Sequence, residues 1–523
     1  MRTGLTIAAT LAAALVAAPA AGQTLNFMMN LDAPHYDPHR TSAGTTANIL
    51  FLLGDTLTTI DFDLQTVKPH LAKSWTVSDD GKLYTFELRE DVSFCSGKKM
   101  TADDVVYSFR RAVDPEVRSP FRWRMGKVKE IRATGPYTVE YELEEPYNDL
   151  PLQLANYQGT IINQEVVEEL GKDFGVAGFD GTGPYCWESW EPRSQLSMRR
   201  HDAYTWGPSF YENQGPAKFE RQVMRIVPEE SARIAAMASG QMDYSYTMPD
   251  QSLAMMEKAP NVSVYRPVAN QRLFYLGFKI TRDNVADKRV RTALSQAIDR
   301  DQIVQSIYFG NAEPAYGFIH PSALDFSPDA PQHLGKYDPE GAAKLLDEAG
   351  WTMGPDGFRQ KDGQRLELQL YGFAAGRSPK VAEAVQGFWR RIGVDLQLQM
   401  WDGTIVFSKL AQQDYDIWSI AFPYSSAGDA LRLYFHSTNV PTPNRMNWKD
   451  PETDRLLDAA LATNDPAEKA KLLAEVQTIV QDNALWVPLV HEGLVMVANA
   501  KIKNVKAHAF YTSLAYKTLD WSF

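Results

Sequence analysis

The stretch Asp338-Pro339-Glu340-Gly341-Ala342-Ala343-Lys344-Leu345-Leu346-Asp347-Glu348-Ala349-Gly350-Trp351 decides how the rest of this chain is read. It spells one complete short helix. Asp338 can accept hydrogen bonds from the first free N–H groups, and Pro339 suits the first helical position. Ala342, Leu345, Leu346 and Ala349 recur on one face, and Gly350 supplies a left-handed stop. A helix with one apolar face must pack on something, so the flanking pattern decides what.

On both sides the pattern is α/β. Upstream, Val290, Ala293, Leu294, Ala297 and Ile298 follow helical spacing, and Gly310 closes that region. Downstream, Leu366, Leu368 and Leu370 alternate as a strand, and Val381, Val385, Phe388 and Ile392 form a helix face. Val394, Leu396, Leu398 and Met400 give the next strand, and residues 415–422 another, ending in the polar loop 423–429. Residues 310–340 read as a long loop. Nearer the N-terminus, Leu25, Phe27 and Met29 alternate. Residues 223–227, 228–239 and 243–246 give strand, helix and strand, the unit of a parallel crossover. Between these lie a hairpin around Asp80-Gly81, a helix capped by Thr101 with Asp103 and Asp104 in its first turn, and a strand through Tyr137, Val139, Tyr141 and Leu143. This block reads as an inserted α+β unit.

The 523 residues exceed one ordinary core, so two or three domains are expected. A net charge of −12 argues against nucleic acid and anionic membrane surfaces as partners. Arg2, an apolar run over residues 5–16 and small residues at 18–22 form an export signal, which implies a mature protein beginning near residue 23 and not embedded in a membrane. Of the two cysteines, Cys95 and Cys186, a disulfide joining the lobes or their hinge and a pair of separate buried thiols are both compatible with the spacing.

Ordered motifs then match a known family. Leu71-Ala72-Lys73-Ser74-Trp75 with Asp80-Gly81 and Tyr84 to Arg89, the helix Thr101 to Phe109, Gly181-Thr182-Gly183-Pro184-Tyr185, and Val290 to Leu294 with Ala297 to Arg300 resemble the bacterial family 5 extracellular solute-binding proteins, as does the 338–351 helix. The resemblance implies an α/β, two-lobed periplasmic-binding-protein fold with an inserted α+β subdomain in the first lobe. Residues 23–54, 181–274 and 486–523 would form that lobe, 55–180 the insertion and 275–485 the second lobe, with two strands crossing a hinge. It also implies a periplasmic receptor, expected as a monomer, that delivers a small solute to the permease subunits of an ABC importer and uses no cofactor.

Ligands of open α/β folds lie beyond the carboxyl ends of strands. Candidate contacts are therefore Tyr36, Arg40 and Thr41 after the first strand, Tyr244 and Tyr246, Trp401, and Tyr424, Ser425, Ser426 and Asp429. Peptide-binding members of the family carry an aspartate for the ligand ammonium in this last loop. Alignment puts Tyr424 there and leaves Asp429 to start the next helix, which favours sugars, polyols or opines over an ordinary peptide. The nine histidines, His35, His39, His436 and His491 among them, show no metal-ligand spacing. Ser96-Gly97-Lys98-Lys99 spells S-x-x-K without the other motifs of a serine hydrolase, so an exported hydrolase is the rival reading and a non-enzyme the expected one.

Overall fold

The computed structural model describes residues 23–269, 271–330, 336–403 and 405–523; the expected export signal lies outside them. Two sheets organise the chain. A seven-stranded sheet collects Val262–Tyr265, Met496–Asn499, Tyr244–Ser245, Thr24–Met29, Arg221–Ile226, Gln195–Arg200 and Tyr185–Glu191, in that spatial order. Arg221–Ile226 and Tyr244–Ser245 both run parallel to Thr24–Met29, one on each side of it. They are joined by the helix Glu230–Ala238, so the strand–helix–strand unit expected there is a parallel crossover that skips one strand.

The six-stranded sheet carries Ala312–Pro314, Trp486–Glu492, Arg272–Phe278, Ile417–Pro423, Glu367–Phe373 and Asp395–Trp401. Glu367–Phe373 and Asp395–Trp401 are parallel neighbours bridged by the helix Ser378–Arg391. The helix of the opening stretch spans Pro339–Glu348. Asp338 Oδ1 accepts from the Gly341 amide at 2.8 Å, Ala342 and Leu346 are fully buried, and Gly350 takes φ +88°, a conformation that side chains resist.

Two expected boundaries move. Arg272–Phe278 pairs along one edge with Trp486–Glu492 and along the other with Ile417–Pro423, so both 272–274 and 486–492 belong to the second lobe. The apolar side chains of 486–490 are buried against that sheet, which fixes the return to the first lobe after Glu492. Among the described residues, 266–269 and 493–495 lead from strands of one sheet to strands of the other.

The insertion has its own antiparallel sheet, Ala72–Val77, Leu83–Leu88, Thr138–Leu143 and Val128–Gly135, with the helix Ala102–Val113 packed on it. At the start of that helix Asp104, in the first turn as expected, reaches back to accept from the Thr101 amide at 2.9 Å. Residues 55–70 are instead tied to the C-terminal segment: Lys517 Nζ pairs with Asp55, and a His508 ring nitrogen lies 3.0 Å from the Ile60 carbonyl oxygen. Cys95 and Cys186 are disulfide-bonded, with Cα atoms 5.6 Å apart. The bond fastens the insertion to the strand Tyr185–Glu191 of the first lobe; it does not join the two lobes.

Candidate functional site

The insertion reaches across to the second lobe. After the helix Ala102–Val113 the chain makes a short 3₁₀ turn, Arg122–Met125, which aims Arg124 inward. On the facing side the strand Ile417–Pro423 ends, and Ser426 caps the helix Ala427–Phe435 by accepting from the Asp429 amide at 3.0 Å. Arg124 Nη2 donates to Asp429 Oδ2 at 3.1 Å, and both side chains are 0% exposed. The same Oδ2 accepts from the Ser425 amide at 2.9 Å, and Asn156 Nδ2 donates to Ser425 Oγ at 3.1 Å.

Aromatic rings surround the guanidinium: Phe121 at 4.7 Å, Trp123 at 5.0 Å and Tyr511 at 5.3 Å. Their faces attract a desolvated cation. Tyr157 packs edge-on against both Phe121 and Tyr511 and donates from its hydroxyl to the Thr41 carbonyl. Tyr511 is held at φ +48°, a left-handed conformation costly for a bulky residue.

Charge and hydrogen bonding are unevenly satisfied here. Arg124 Nε and Nη1, Asp429 Oδ1, Asn156 Oδ1, Gln153 Nε2 and Gln158 Oε1 are buried and make no hydrogen bond among the described residues. Groups left this way each cost about 1–3 kcal/mol. Burial pushes the Asp429 carboxyl upward, and Arg124 only partly opposes this. Lys469 completes the cluster by pairing with Asp149 of the insertion and Asp325 of its own lobe. Burial first, and then Asp149, raise the Asp325 carboxyl to about 6. Two cations, Arg124 and Lys469, thus face three carboxylates, Asp149, Asp325 and Asp429.

The residues expected from sequence divide. Ser425, Ser426 and Asp429 come together on this wall, and Thr41 joins through its main chain. Asp429 both opens its helix, as the alignment implied, and faces the other lobe. Tyr424 turns into the second lobe, 2% exposed, where its hydroxyl accepts from the His320 amide at 2.9 Å. Tyr36 is packed edge-on against Trp187 and Trp190, and Tyr244 is stacked on Phe27 within the first sheet, donating to Gln222. The Tyr246 hydroxyl lies against Met29 Sδ, and Arg40 is exposed. Trp401 is half-buried beside Tyr371, with Lys409 Nζ 4.7 Å above it.

Sequence reasoning passed over Arg124, Asn156, Tyr157 and Tyr511. The one available signal was an arginine set among aromatics in Phe121-Arg122-Trp123-Arg124. The Ser96 hydroxyl donates to Asp180 Oδ2 at 2.6 Å, so the S-x-x-K serine is engaged by a carboxylate 84 residues away in the chain. His201 stands beside the two cysteine sulfurs, and the disulfide leaves no thiolate there for a metal.

Residues 66–442 match the family model described as bacterial extracellular solute-binding proteins, family 5 Middle. The glutathione-binding protein GsiB of Salmonella paratyphi A is 31% identical over 466 residues, covering 85% of this chain and 84% of that protein. Among solved structures, the oligopeptide-binding protein AppA of Bacillus subtilis, in complex with a nonapeptide, superposes with a TM-score of 0.82 at 21% identity, covering 96% of this chain and 99% of the other. AgaA from A. tumefaciens R10, in complex with agropinic acid, gives 0.80 at 22% identity, covering 96% and 98%. At such identities these two structures speak to the fold alone.

Proposed function

We propose, on the premise that this chain belongs to family 5 of the bacterial extracellular solute-binding proteins, that this solute receptor of an ABC importer captures a small molecule bearing both a carboxylate and an amine. One observation carries the reading: Arg124 and Asp429, one from each side of the interlobe interface, each keep buried hydrogen-bonding atoms that no described residue uses. A ligand carboxylate would take the free guanidinium N–H groups, and a ligand ammonium would take Asp429 Oδ1. Such a solute compensates both buried charges. A neutral one leaves these remaining hydrogen-bonding atoms of the pair unsatisfied, at about 1–3 kcal/mol each. The amides of Gln153, Asn156 and Gln158 and the faces of Tyr157 and Tyr511 suit the peptide bonds and apolar parts of such a solute. Glutathione, the solute for which the 31% identical relatives are named, has this chemistry.

Only the closed form contacts the solute from both lobes, so binding favours closure. The closed protein then docks on the permease subunits. No helix among the described residues is long and apolar enough to cross a membrane. Export through the 1–22 signal to the periplasm, action as a monomer and absence of catalysis complete the reading.

The test is thermal stabilisation and calorimetry with matched compounds: glutathione, an unmodified dipeptide, its N-acetyl and C-amide derivatives, and a neutral disaccharide. Stabilisation by compounds with both charges, lost on blocking either end, supports the reading. Equal stabilisation by the disaccharide overturns it.

A further inference from the structure

A separate charged contact joins the lobes, remote in sequence from the cluster of Arg124, Asp429, Lys469 and Asp149. Asp250 opens the helix Asp250–Met256, just beyond the strand Tyr244–Ser245 of the first lobe. Arg377 precedes the helix Ser378–Arg391, just beyond the strand Glu367–Phe373 of the second. Arg377 Nε donates to Asp250 Oδ2 at 2.6 Å and Nη2 to Oδ1 at 2.8 Å, the two-pronged geometry in which arginine and carboxylate pair most strongly.

Behind Arg377 stands a support entirely within the second lobe. Its Nη1 lies 3.6 Å from Glu492 Oε1, and its guanidinium lies over the Tyr308 ring at 4.9 Å. Glu492 in turn accepts from the Tyr308 hydroxyl at 2.8 Å and pairs with Arg272. Arg272 and Glu492 are the first and last residues of the two strands that meet the crossing segments. The second lobe therefore holds Arg377 in place by itself, at the hinge. Asp250 is different: among the described residues, both of its side-chain hydrogen bonds come from the opposite lobe.

We propose that Asp250 and Arg377 form a closure latch beside the hinge. They are positioning residues, which hold the lobes shut and lengthen the residence of a bound solute without touching it. Opening separates Asp250 from its fork, while Arg377 keeps Glu492. The pair thus biases the open–closed equilibrium by a fixed amount. The proposal rests on the two-lobed receptor reading and is independent of which solute is bound.

The test needs no ligand. Fluorescent labels on cysteines introduced at exposed Glu220 and Glu383, one per lobe, report the closed fraction of full-length mature protein stripped of small molecules by unfolding and refolding. Asp250→Asn is expected to lower the closed-to-open ratio about tenfold, the effect of losing one strong charged contact. In the double variant Asp250→Asn with Arg377→Lys the two losses should not add, a coupling that a purely local role of Asp250 would not give. Arg377→Lys keeps the charge without the fork and should fall between, which preserves the test if Asp250→Asn folds poorly. An unchanged closed fraction in both single variants, or losses that add in full in the double variant, overturns the latch. Because no solute enters the experiment, its failure leaves the ligand assignment standing, and failure of the ligand assignment leaves the latch standing.

Discussion

Arg124 and Asp429 are 305 residues apart in the chain and meet as a fully buried ion pair, one from the insertion and one from the second lobe. Truncating one partner leaves the other charge desolvated. Arg124→Ala is therefore expected to destabilise the protein by about 3–5 kcal/mol and to abolish solute binding. In the double variant Arg124→Met with Asp429→Leu, apolar packing replaces the pair, so stability should recover while binding does not. Urea unfolding and calorimetry read the two effects separately. Recovery of binding in the double variant would contradict the role assigned here.

Ser425 tests the adjoining wall. Ser425→Ala removes the acceptor for Asn156 Nδ2 and is expected to weaken solute binding by about 1 kcal/mol with little loss of fold stability. Tyr424 makes the contrast. Its ring is buried within the second lobe, so Tyr424→Ala should cost about 3–5 kcal/mol of stability through a cavity, as large-to-small aromatic changes do. Tyr424→Phe, which loses only the contact to the His320 amide, should bind normally. A large binding defect in Tyr424→Phe would return Tyr424 to the ligand site.

The disulfide spans 91 residues of sequence and anchors the insertion that presents Arg124. Replacing Cys95 and Cys186 with alanine should lower stability by about 2–5 kcal/mol, chiefly by freeing the unfolded chain. With the fold intact at low temperature, solute affinity should stay near wild type. An unchanged denaturation midpoint would contradict the prediction.

Buried histidines set the response to acid. Burial lowers His39 and His491 to about 3, and His70 and His508 to about 4. In the unfolded chain the same rings take up protons near pH 6.5, so stability is kept above that pH and lost as pH falls toward 4. Each ring removes about 1.4 kcal/mol per pH unit across that window. Asp325 acts in the opposite direction. Its carboxyl is raised from 3.8 to about 6, so the folded state gains a proton that the unfolded state lacks between those values. Burial also raises Asp429, Asp243 and Asp416 and lowers His35, His201 and His320, so seven rings oppose four carboxyls, and the melting temperature is expected to fall between about pH 6.5 and 4.5. Asp325→Asn should steepen that fall. A melting temperature that rises through this window would contradict the balance.

Elements whose information is local were legible in the sequence. Asp338, Pro339 and Gly350 mark a helix from both ends, and Thr101 with Asp104 marks another, because caps act within a few residues. The alternation through 366–370 and 394–400 was equally plain. The boundary at 486 was not. Trp486 to Val490 is apolar in a way that either sheet could bury, and pairing with Arg272–Phe278 is a long-range event. Of the proposed site, only the second-lobe half, where Ser425, Ser426 and Asp429 follow a strand end, was legible in the sequence. Arg124 sits in an irregular turn whose inward aim depends on packing by Phe121, Tyr157 and Tyr511, the last from near the C-terminus. Tyr244 and Tyr36 show the reverse error. Both lie near strand ends, yet stacking on Phe27 and on Trp187 and Trp190 holds them in the core.

The most direct test of the central claim is mass spectrometry of the mature protein purified from its host, native and then denatured, beside the Arg124→Ala variant. The account predicts a released small molecule carrying both an amine and a carboxylate from the wild type, and none from the variant. A neutral sugar or polyol released from both would contradict it.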